Sequence, residues 1–455
     1  MAEAATALAR AVHGAAVTRE VTLDAGALAA LPAVARRHVP AATLLVVADD
    51  RTWEAAGRRA AALLAGDGRT VEWLVLPGTP RLKPATDHAD AIAARIAAGA
   101  ALPVAVGSGV VNDLVKRAAG VTGVPYLVVA TAASMDGYAA SGAALHEDGF
   151  KRTFPCPPPV AVVADIDVVA TAPARMAAWG YGDLAGKIVA GADWIVADAL
   201  EEEAIAAGPF GLVQENLQDW LAAPERLRGG ARDALRGLME GLLVTGFAMQ
   251  AHGTSRPASG SDHQFSHLWE MEGLSVDGEP VAHGACVGVG CVAMLALYEW
   301  LLAQAPTGAD IAPALARHPT PERIAAEVAA AFPGSPIAGA AAIEATAKHP
   351  TPERLRRRLE RLVAIWPTLR ARLAPRLPSA REMRRRLAAC GGPGHPEEIG
   401  IDLATLAADC RRARLIRRRY TALDLLADLG WLDRAIAATF APGVSWSRGE
   451  ALRAG

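Results

Sequence analysis

Cysteine is scarce in this chain. Five residues in 455, Cys156, Cys286, Cys291, Cys390 and Cys410, lie far apart with no C-x-x-C pair, and none has flanking residues that mark a nucleophile. This excludes a disulfide framework and points to a reducing compartment. No charge of one sign dominates, since 46 Lys and Arg stand against 48 Asp and Glu for a formal charge of −2. There is therefore no overall electrostatic case for nucleic acid. Long uninterrupted apolar runs are missing too. The longest, Val287–Ala303, carries Glu299 and follows a Gly-rich turn. It reads as a buried core helix rather than a span of about 20 residues, so no membrane span is expected. The opening MAEAATALARAVHGAA lacks a basic segment followed by a sustained apolar one. A secretory signal is not expected on that pattern, and a cytoplasmic location is.

What is present is ordinary for a globular protein, with 52% hydrophobic and 21% charged residues. The length suggests two or three domains at roughly 150 residues each. β-Branched runs alternate with helical patterns over the first 130 residues. Strands are expected at Ala42–Ala48, Val71–Leu76, Leu102–Val106 and Tyr126–Ala130, and helices near Thr52–Leu64, Asp87–Ile96 and Val110–Ala118. Such alternation implies βαβ units and a parallel sheet, with ligands beyond the carboxyl ends of its strands. Those ends are Asp49, Gly107 and Thr131. The proline-dense FKRTFPCPPP cannot be a central strand or a helix. A short run at Val160–Ala164 then leads to Asp165 and Asp167, and from Pro173 onward the signals are helical. The expected fold is an α/β dinucleotide-binding domain over residues 1–172, followed by an all-helical domain over 173–455.

Two copies of HPTPER, at His318–Arg323 and His349–Arg354, each spell a helix start with a Thr cap and Pro at the first position. Two similar helix starts account for them better than a structural repeat. Basic runs at Arg354–Arg358, Arg381–Arg386 and Arg411–Arg419 have no aromatic interleaving and read as solvated helix faces.

Several segments carry chemistry. In Gly107-Ser108-Gly109-Val110-Val111-Asn112-Asp113 a strand turns into a helix, and glycines there let backbone N–H groups approach a phosphate. The third glycine of GxGxxG is missing, so a tight βα turn explains the segment equally well. Thr131–Gly137 offers two hydroxyls and a carboxylate at the same sheet edge, suited to a cofactor and a polyol or to capping the next element. Asp183 in GYGDLAGK reads on its own as a helix N-cap. His263 and His267, four apart, share a helix face. With His283 they supply the imidazoles that, beside one carboxylate, suit a divalent ion. A hydrogen-bonded or surface histidine pair is the alternative.

Taken in order, GSGVVND, TAASMDGYA, GFKRTFPCPPPVAVVADIDVVATAP, GYGDLAGK, ASGSDHQFSHLWEMEG and VAHGACVGVG resemble the glycerol-1-phosphate dehydrogenases, their bacterial branch in particular. That family shares a superfamily with dehydroquinate synthases and metal-dependent alcohol dehydrogenases. The resemblance runs from about Ala42 to about Trp300. It implies NADH- or NADPH-dependent reduction of dihydroxyacetone phosphate to sn-glycerol 1-phosphate. It also implies one zinc, nickel or iron ion on Asp183, His263 and His283. By the same match Asp136, Asp183 and His267 contact substrate, with Asp183 and His267 catalytic. Gly107, Ser108, Gly109, Val110 and Val111, then Thr131, Ala132, Ala133 and Ser134, hold the cofactor, with Asp49 at the adenosine ribose. Relatives are often dimers, so a homodimer is expected. Lys187 and Arg256, beside matched motifs, are candidates for the substrate phosphate. Two departures stand out. Ala140 occupies a position usually Ser, with Ser141 one step later, and His283-Gly284-Ala285-Cys286 lacks the usual carboxylate after HG. A reductase of another small phosphorylated or polyol ketone, a dehydroquinate-synthase-like cyclase and a catalytically inactive nucleotide-binding relative are the competing readings. The cyclase has Glu where this chain has Asp183, and the retained Asp183, His263 and His283 weigh against the inactive relative.

Overall fold

Leu44–Ala48 run Leu-Leu-Val-Val-Ala with no polar break, so the strand they form can be buried on both faces. The computed structural model describes residues 6–40, 42–79, 81–99, 101–147 and 150–441. Residues 1–5 of the opening segment lie outside these. Contacts divide the chain into two compact units. Unit 1 takes Met1–Leu184 and Gly208–Ser255, and unit 2 takes Ala185–Ala207 and Arg256–Gly455.

Unit 1 is built on six parallel strands: β1 (Glu20–Asp24), β2 (Thr43–Asp49), β3 (Thr70–Leu76), β4 (Leu102–Gly107), β5 (Leu127–Ala130) and, after a hairpin, β8 (Ala161–Asp165). Their order across the sheet is β1-β8-β5-β4-β2-β3. Between β2 and β4 the chain changes the direction in which it adds strands, which leaves a crevice at their carboxyl ends. Asp49 and Gly107 are the last residues of those two strands. Leu44, Val46, Val104, Val106, Leu127, Val129 and Val163 are fully buried on one face of the sheet. The hairpin, β6 (Ala143–Glu147) against β7 (Phe150–Phe154), is antiparallel and separate, so the proline-rich stretch stays out of the central sheet. β1 is a strand that the sequence reading omits. It pairs with β8, whose last residue, Asp165, accepts N–H groups from Gly26 (3.0 Å), Leu28 (3.0 Å) and Asp167 (2.9 Å).

The Ala174–Ala199 helix belongs to both units. It is buried from Gly180 to Ala197 without interruption, Asp183, Lys187 and Asp193 included. Its glycines are contact positions rather than breaks. A Cβ on Gly180 would lie 2.1 Å from the Ala133 carbonyl oxygen, within unit 1. Within unit 2, a Cβ on Gly186 would lie 2.4 Å from Asp262 Oδ2 and 3.3 Å from His263 Cε1.

Unit 2 is otherwise helical, apart from a two-stranded ladder, β9 (Ser275–Val276) with β10 (Glu279–Pro280). Among the described residues one helix, His283–Leu302, is long and apolar enough to cross a membrane, and it is mostly buried inside its unit. Asp193, fully buried, draws four segments of unit 2 together. It accepts from Ser261 N (2.6 Å), Ser261 Oγ (2.7 Å), Tyr298 Oη (2.6 Å) and Ala422 N (2.9 Å). Burial raises its pKa, and these hydrogen bonds oppose the shift. The Arg411–Arg419 run is in part the expected solvated face, with Arg411, Arg417 and Arg418 exposed, while Arg412, Arg414 and Arg419 are half-buried. Arg411 pairs with Asp433, Arg412 with Glu272 and Asp409, Arg414 with Glu327 and Arg418 with Glu344.

Candidate active site

In unit 1, β4 ends at Gly107 and the Gly109–Thr122 helix begins two residues later, with Ser108 as a cap whose side chain makes no capping bond. The first-turn N–H groups of that helix have no intrahelical partner and face positions where an anion is favoured. At Gly107 an added Cβ would meet Val111 Cβ at 2.6 Å, and at Gly109 it would meet Met135 at 3.2 Å. The turn thus requires glycine for close approach. Asp49 stands at the neighbouring strand end, where its Oδ1 caps the next turn by accepting from Thr52 N at 2.7 Å.

Thr131–Ser134 follow β5 directly and are buried. The loop after them is fastened from below by two residues that the sequence reading leaves unassigned. Lys116, with no exposed surface, donates from Nζ to the carbonyls of Gly137 (2.8 Å) and Gly142 (3.0 Å). Asn112 donates from Nδ2 to the same Gly137 carbonyl at 3.4 Å, and its Oδ1 accepts from Tyr126 Oη at 3.2 Å. Ala140 is buried and Ser141 is exposed, so the shifted serine does not take the position of the missing one.

Asp183 is not a helix N-cap, because the helix begins at Ala174 and Asp183 is fully buried in its interior. The apolar turns ahead of GYG, not the glycines, set the helix start. Its Oδ2 accepts the backbone N–H of Asp136 at 3.0 Å, which joins two of the expected site residues within unit 1. Lys187 is fully buried four residues further along the same helix.

In unit 2 three imidazoles form a triangle. Ring centroids are 5.4 Å apart for His263–His283, 5.9 Å for His267–His283 and 6.2 Å for His263–His267. His263 and His267 share the Ser261–Met271 helix, as their spacing predicts, and His283 opens the His283–Leu302 helix. These two helices pack closely because Gly290 lets the Asp262 carbonyl in; a Cβ there would be 2.5 Å from it. Each of two imidazoles leans on its own carboxylate. His263 Nδ1 donates to Asp262 Oδ2 at 2.5 Å, and His283 Nδ1 donates to Glu270 Oε1 at 2.5 Å. Ser266 Oγ also donates to Glu270 Oε1, at 2.7 Å. A carboxylate on Nδ1 fixes the tautomer and leaves Nε2 as a lone-pair donor, the arrangement found around metal-ligating histidines. The donor chemistry therefore fits a divalent ion.

Glu270 and Asp262 were not singled out by sequence reasoning, although Glu270 sits three residues after His267 on the same helix. Arg256 is fully buried and engaged inside unit 2. Its guanidinium pairs with Glu203 (3.1 Å) and donates to the Asp193 carbonyl (3.1 Å), which makes it a structural cation rather than a free phosphate ligand. Ala285 and Cys286 are both buried in their helix.

Residues 22–173 match the family described as iron-containing alcohol dehydrogenase. The chain is 35% identical to the glycerol-1-phosphate dehydrogenase (NAD(P)+) of Halalkalibacterium halodurans over 258 residues, 56% of this chain and 64% of that protein. It is 30% identical to the enzyme of the same name from Geobacillus stearothermophilus over 331 residues, 72% of each chain. Its fold is similar to that of glycerol dehydrogenase from Schizosaccharomyces pombe, with a TM-score of 0.61 at 16% identity, covering 93% of this chain and 89% of that one. With the parallel sheet, the glycine turn and the histidine cluster already described, these likenesses establish that the chain belongs to the glycerol-1-phosphate dehydrogenase family of NAD(P)-dependent oxidoreductases.

Proposed function

We propose that this protein reduces dihydroxyacetone phosphate to sn-glycerol 1-phosphate with NADH or NADPH and one divalent metal ion, zinc, nickel or iron. The reading rests above all on the imidazole cluster, in which His263 and His283 are each held by a carboxylate on Nδ1. Asp183, fully buried in its helix, is the carboxylate that the family resemblance assigns to the same ion.

When bound, the ion supplies Lewis acidity toward the ketone oxygen and the nicotinamide supplies the hydride. The chain's own residues do the rest. Asp262 and Glu270 hold the Nδ1 protons and so aim the two Nε2 atoms. Residues 1–172 hold the dinucleotide, with its pyrophosphate on the N–H groups of Gly107–Val111 and its second contact at Thr131–Ser134. Asp49 takes the adenosine ribose through the carboxylate oxygen that its cap leaves over, which favours NADH. Residues 173–455, with Asp136, bind metal and substrate. His267 relays the proton that the product oxygen gains, and Lys187 faces the substrate phosphate. The protein works as a cytoplasmic homodimer.

The test is oxidation of NADH and NADPH by dihydroxyacetone phosphate after chelation, and again with each ion restored. Turnover should vanish on chelation and return with the metal, and His283→Ala should lose metal and turnover together. Full activity in that variant refutes the ligand assignment. Silence of the folded, metal-loaded protein refutes the substrate.

A further inference from the structure

The two HPTPER segments meet in unit 2. Each opens a helix, Pro321–Ala331 and Pro352–Leu373, with Thr320 accepting from Arg323 N (3.3 Å) and Thr351 from Arg354 N (3.3 Å). The imidazoles of His318 and His349 stack, with centroids 4.4 Å apart and planes 12° apart. They also exchange partners. His318 Nε2 donates to the Pro350 carbonyl and His349 Nε2 to the Pro319 carbonyl, both at 2.8 Å. Two helix starts thus form a local pair with near-twofold correspondence, which their spelling alone does not reveal.

Beside this stack lies a cavity of about 310 Å³, at the lower end of the roughly 300–1,000 Å³ of small-ligand sites. Its wall is rich in charge, and the acids there are all engaged. Glu327 pairs with Arg414 (3.1 Å), Asp424 with Lys348 (2.7 Å), Asp433 with Arg411 (2.7 Å) and Asp428 with Arg358. Two further cations line the same cavity, Arg317 and Arg323, and among the described residues neither has a carboxylate partner. Arg414 Nε is buried there without an acceptor. Two guanidinium charges in excess, plus a buried donor, are what a doubly charged oxyanion would satisfy. The cavity is larger than phosphate alone requires. The imidazole stack lends the remaining space a flat aromatic wall.

We propose that this cavity is a second ligand site, one that binds a small phosphate monoester or free phosphate and is independent of the reaction proposed above. The phosphate would sit on Arg317 and Arg323, and any organic portion against the imidazole stack. The test uses the full-length protein carrying ¹³C at histidine Cε1. Resonances of His318 and His349 are identified with His318→Gln and His349→Gln, then followed during titration with inorganic phosphate or ribose 5-phosphate. Ionic strength is held constant with chloride. Both resonances should shift and saturate, and in the Arg317→Ser/Arg323→Ser protein the shifts should disappear, with melting temperature and NADH oxidation unchanged. A tighter response to ribose 5-phosphate identifies a monoester as the ligand, and an equal response identifies phosphate itself. Shifts no larger than chloride alone produces, or shifts that persist in the double variant, overturn the proposal and leave the cluster as an ion-pair network.

Discussion

Gly180→Ala is the sharpest test of how the Ala174–Ala199 helix positions the cofactor segment. The added methyl carbon would lie 2.1 Å from the Ala133 carbonyl oxygen and 3.1 Å from Leu242 Cδ1. The first distance falls about 1.3 Å short of the 3.4 Å at which ordinary contact begins. The obstructing atom is backbone, so no rotamer change relieves the clash; either the helix or Thr131–Ser134 must move by about an ångström. Overpacking of this kind costs roughly 1–3 kcal/mol, and the upper end applies where backbone must shift. A displacement of about 1 Å in a positioning segment can lower turnover by roughly a hundredfold. We expect a lower melting temperature in calorimetry and at least a tenfold higher KM for NADH, with metal content unchanged because Asp183 keeps its helix. Gly208→Ala, where a Cβ meets nothing within 4 Å, serves as the control and should behave as wild type. A Gly180→Ala protein with wild-type melting and wild-type KM for NADH would refute the reasoning.

Two further outcomes follow from other contacts. Glu270→Ala removes the acceptor from His283 Nδ1 and should weaken metal affinity by about 10–100-fold, read as a dissociation constant by competition with a chelator dye; unchanged affinity would show that Glu270 does not orient His283. Glu382, bonded first by Arg385 and then by Arg386, is held down at about 2 against an ordinary 4.5. The folded form of a depressed acid favours the charged state, so this pair's contribution is present above pH 4.5 and lost as pH falls toward 2. Glu382→Gln should therefore lower the melting temperature slightly at pH 6, by less than about 1 kcal/mol of stability because the group is partly exposed, and the difference should shrink below pH 4.5. A difference independent of pH would exclude the ion pair as its source.

Much of unit 1 is readable from local pattern. β2, β4, β5 and β8 lie within a residue or two of the apolar runs that announce them, since a doubly buried strand has to be continuously apolar, and the edge strand β3 is announced by its β-branched residues despite Glu72. β1 escaped because EVTLD is short, mixed in polarity and paired only to β8. On local pattern alone Asp183 resembles a cap, because GYGDLAG looks like a break. Its glycines instead meet atoms far away in sequence, the Ala133 carbonyl for Gly180 and Asp262 for Gly186, and no local pattern carries that information. The same holds for the Lys116 Nζ bonds to the Gly137 and Gly142 carbonyls, 21 and 26 residues away, and for the Asp193 carboxylate, whose partners lie 68 to 229 residues away. Glu270, by contrast, was within reach. It lies one turn beyond His267, and a carboxylate near a candidate ligand histidine is a signal that spacing can supply. The Arg411–Arg419 run is legible only in part, because composition marks a basic, solvated face but says nothing of the acids that other helices bring to it.

The division of the chain has a consequence for biosynthesis. Unit 1 is interrupted by residues 185–207 and regains Gly208–Ser255 only afterwards, so a ribosome must release more than half of the polypeptide before the sheet has its last helical cover. The apolar stretch from Ala185 to Ala197, meanwhile, waits for Arg256 and everything beyond it before its own unit can close around it. Nascent chains of intermediate length would carry this greasy segment bare, which makes them clients for holdases. A stop codon anywhere between 208 and 255 should yield insoluble fragments rather than a free-standing nucleotide-binding module.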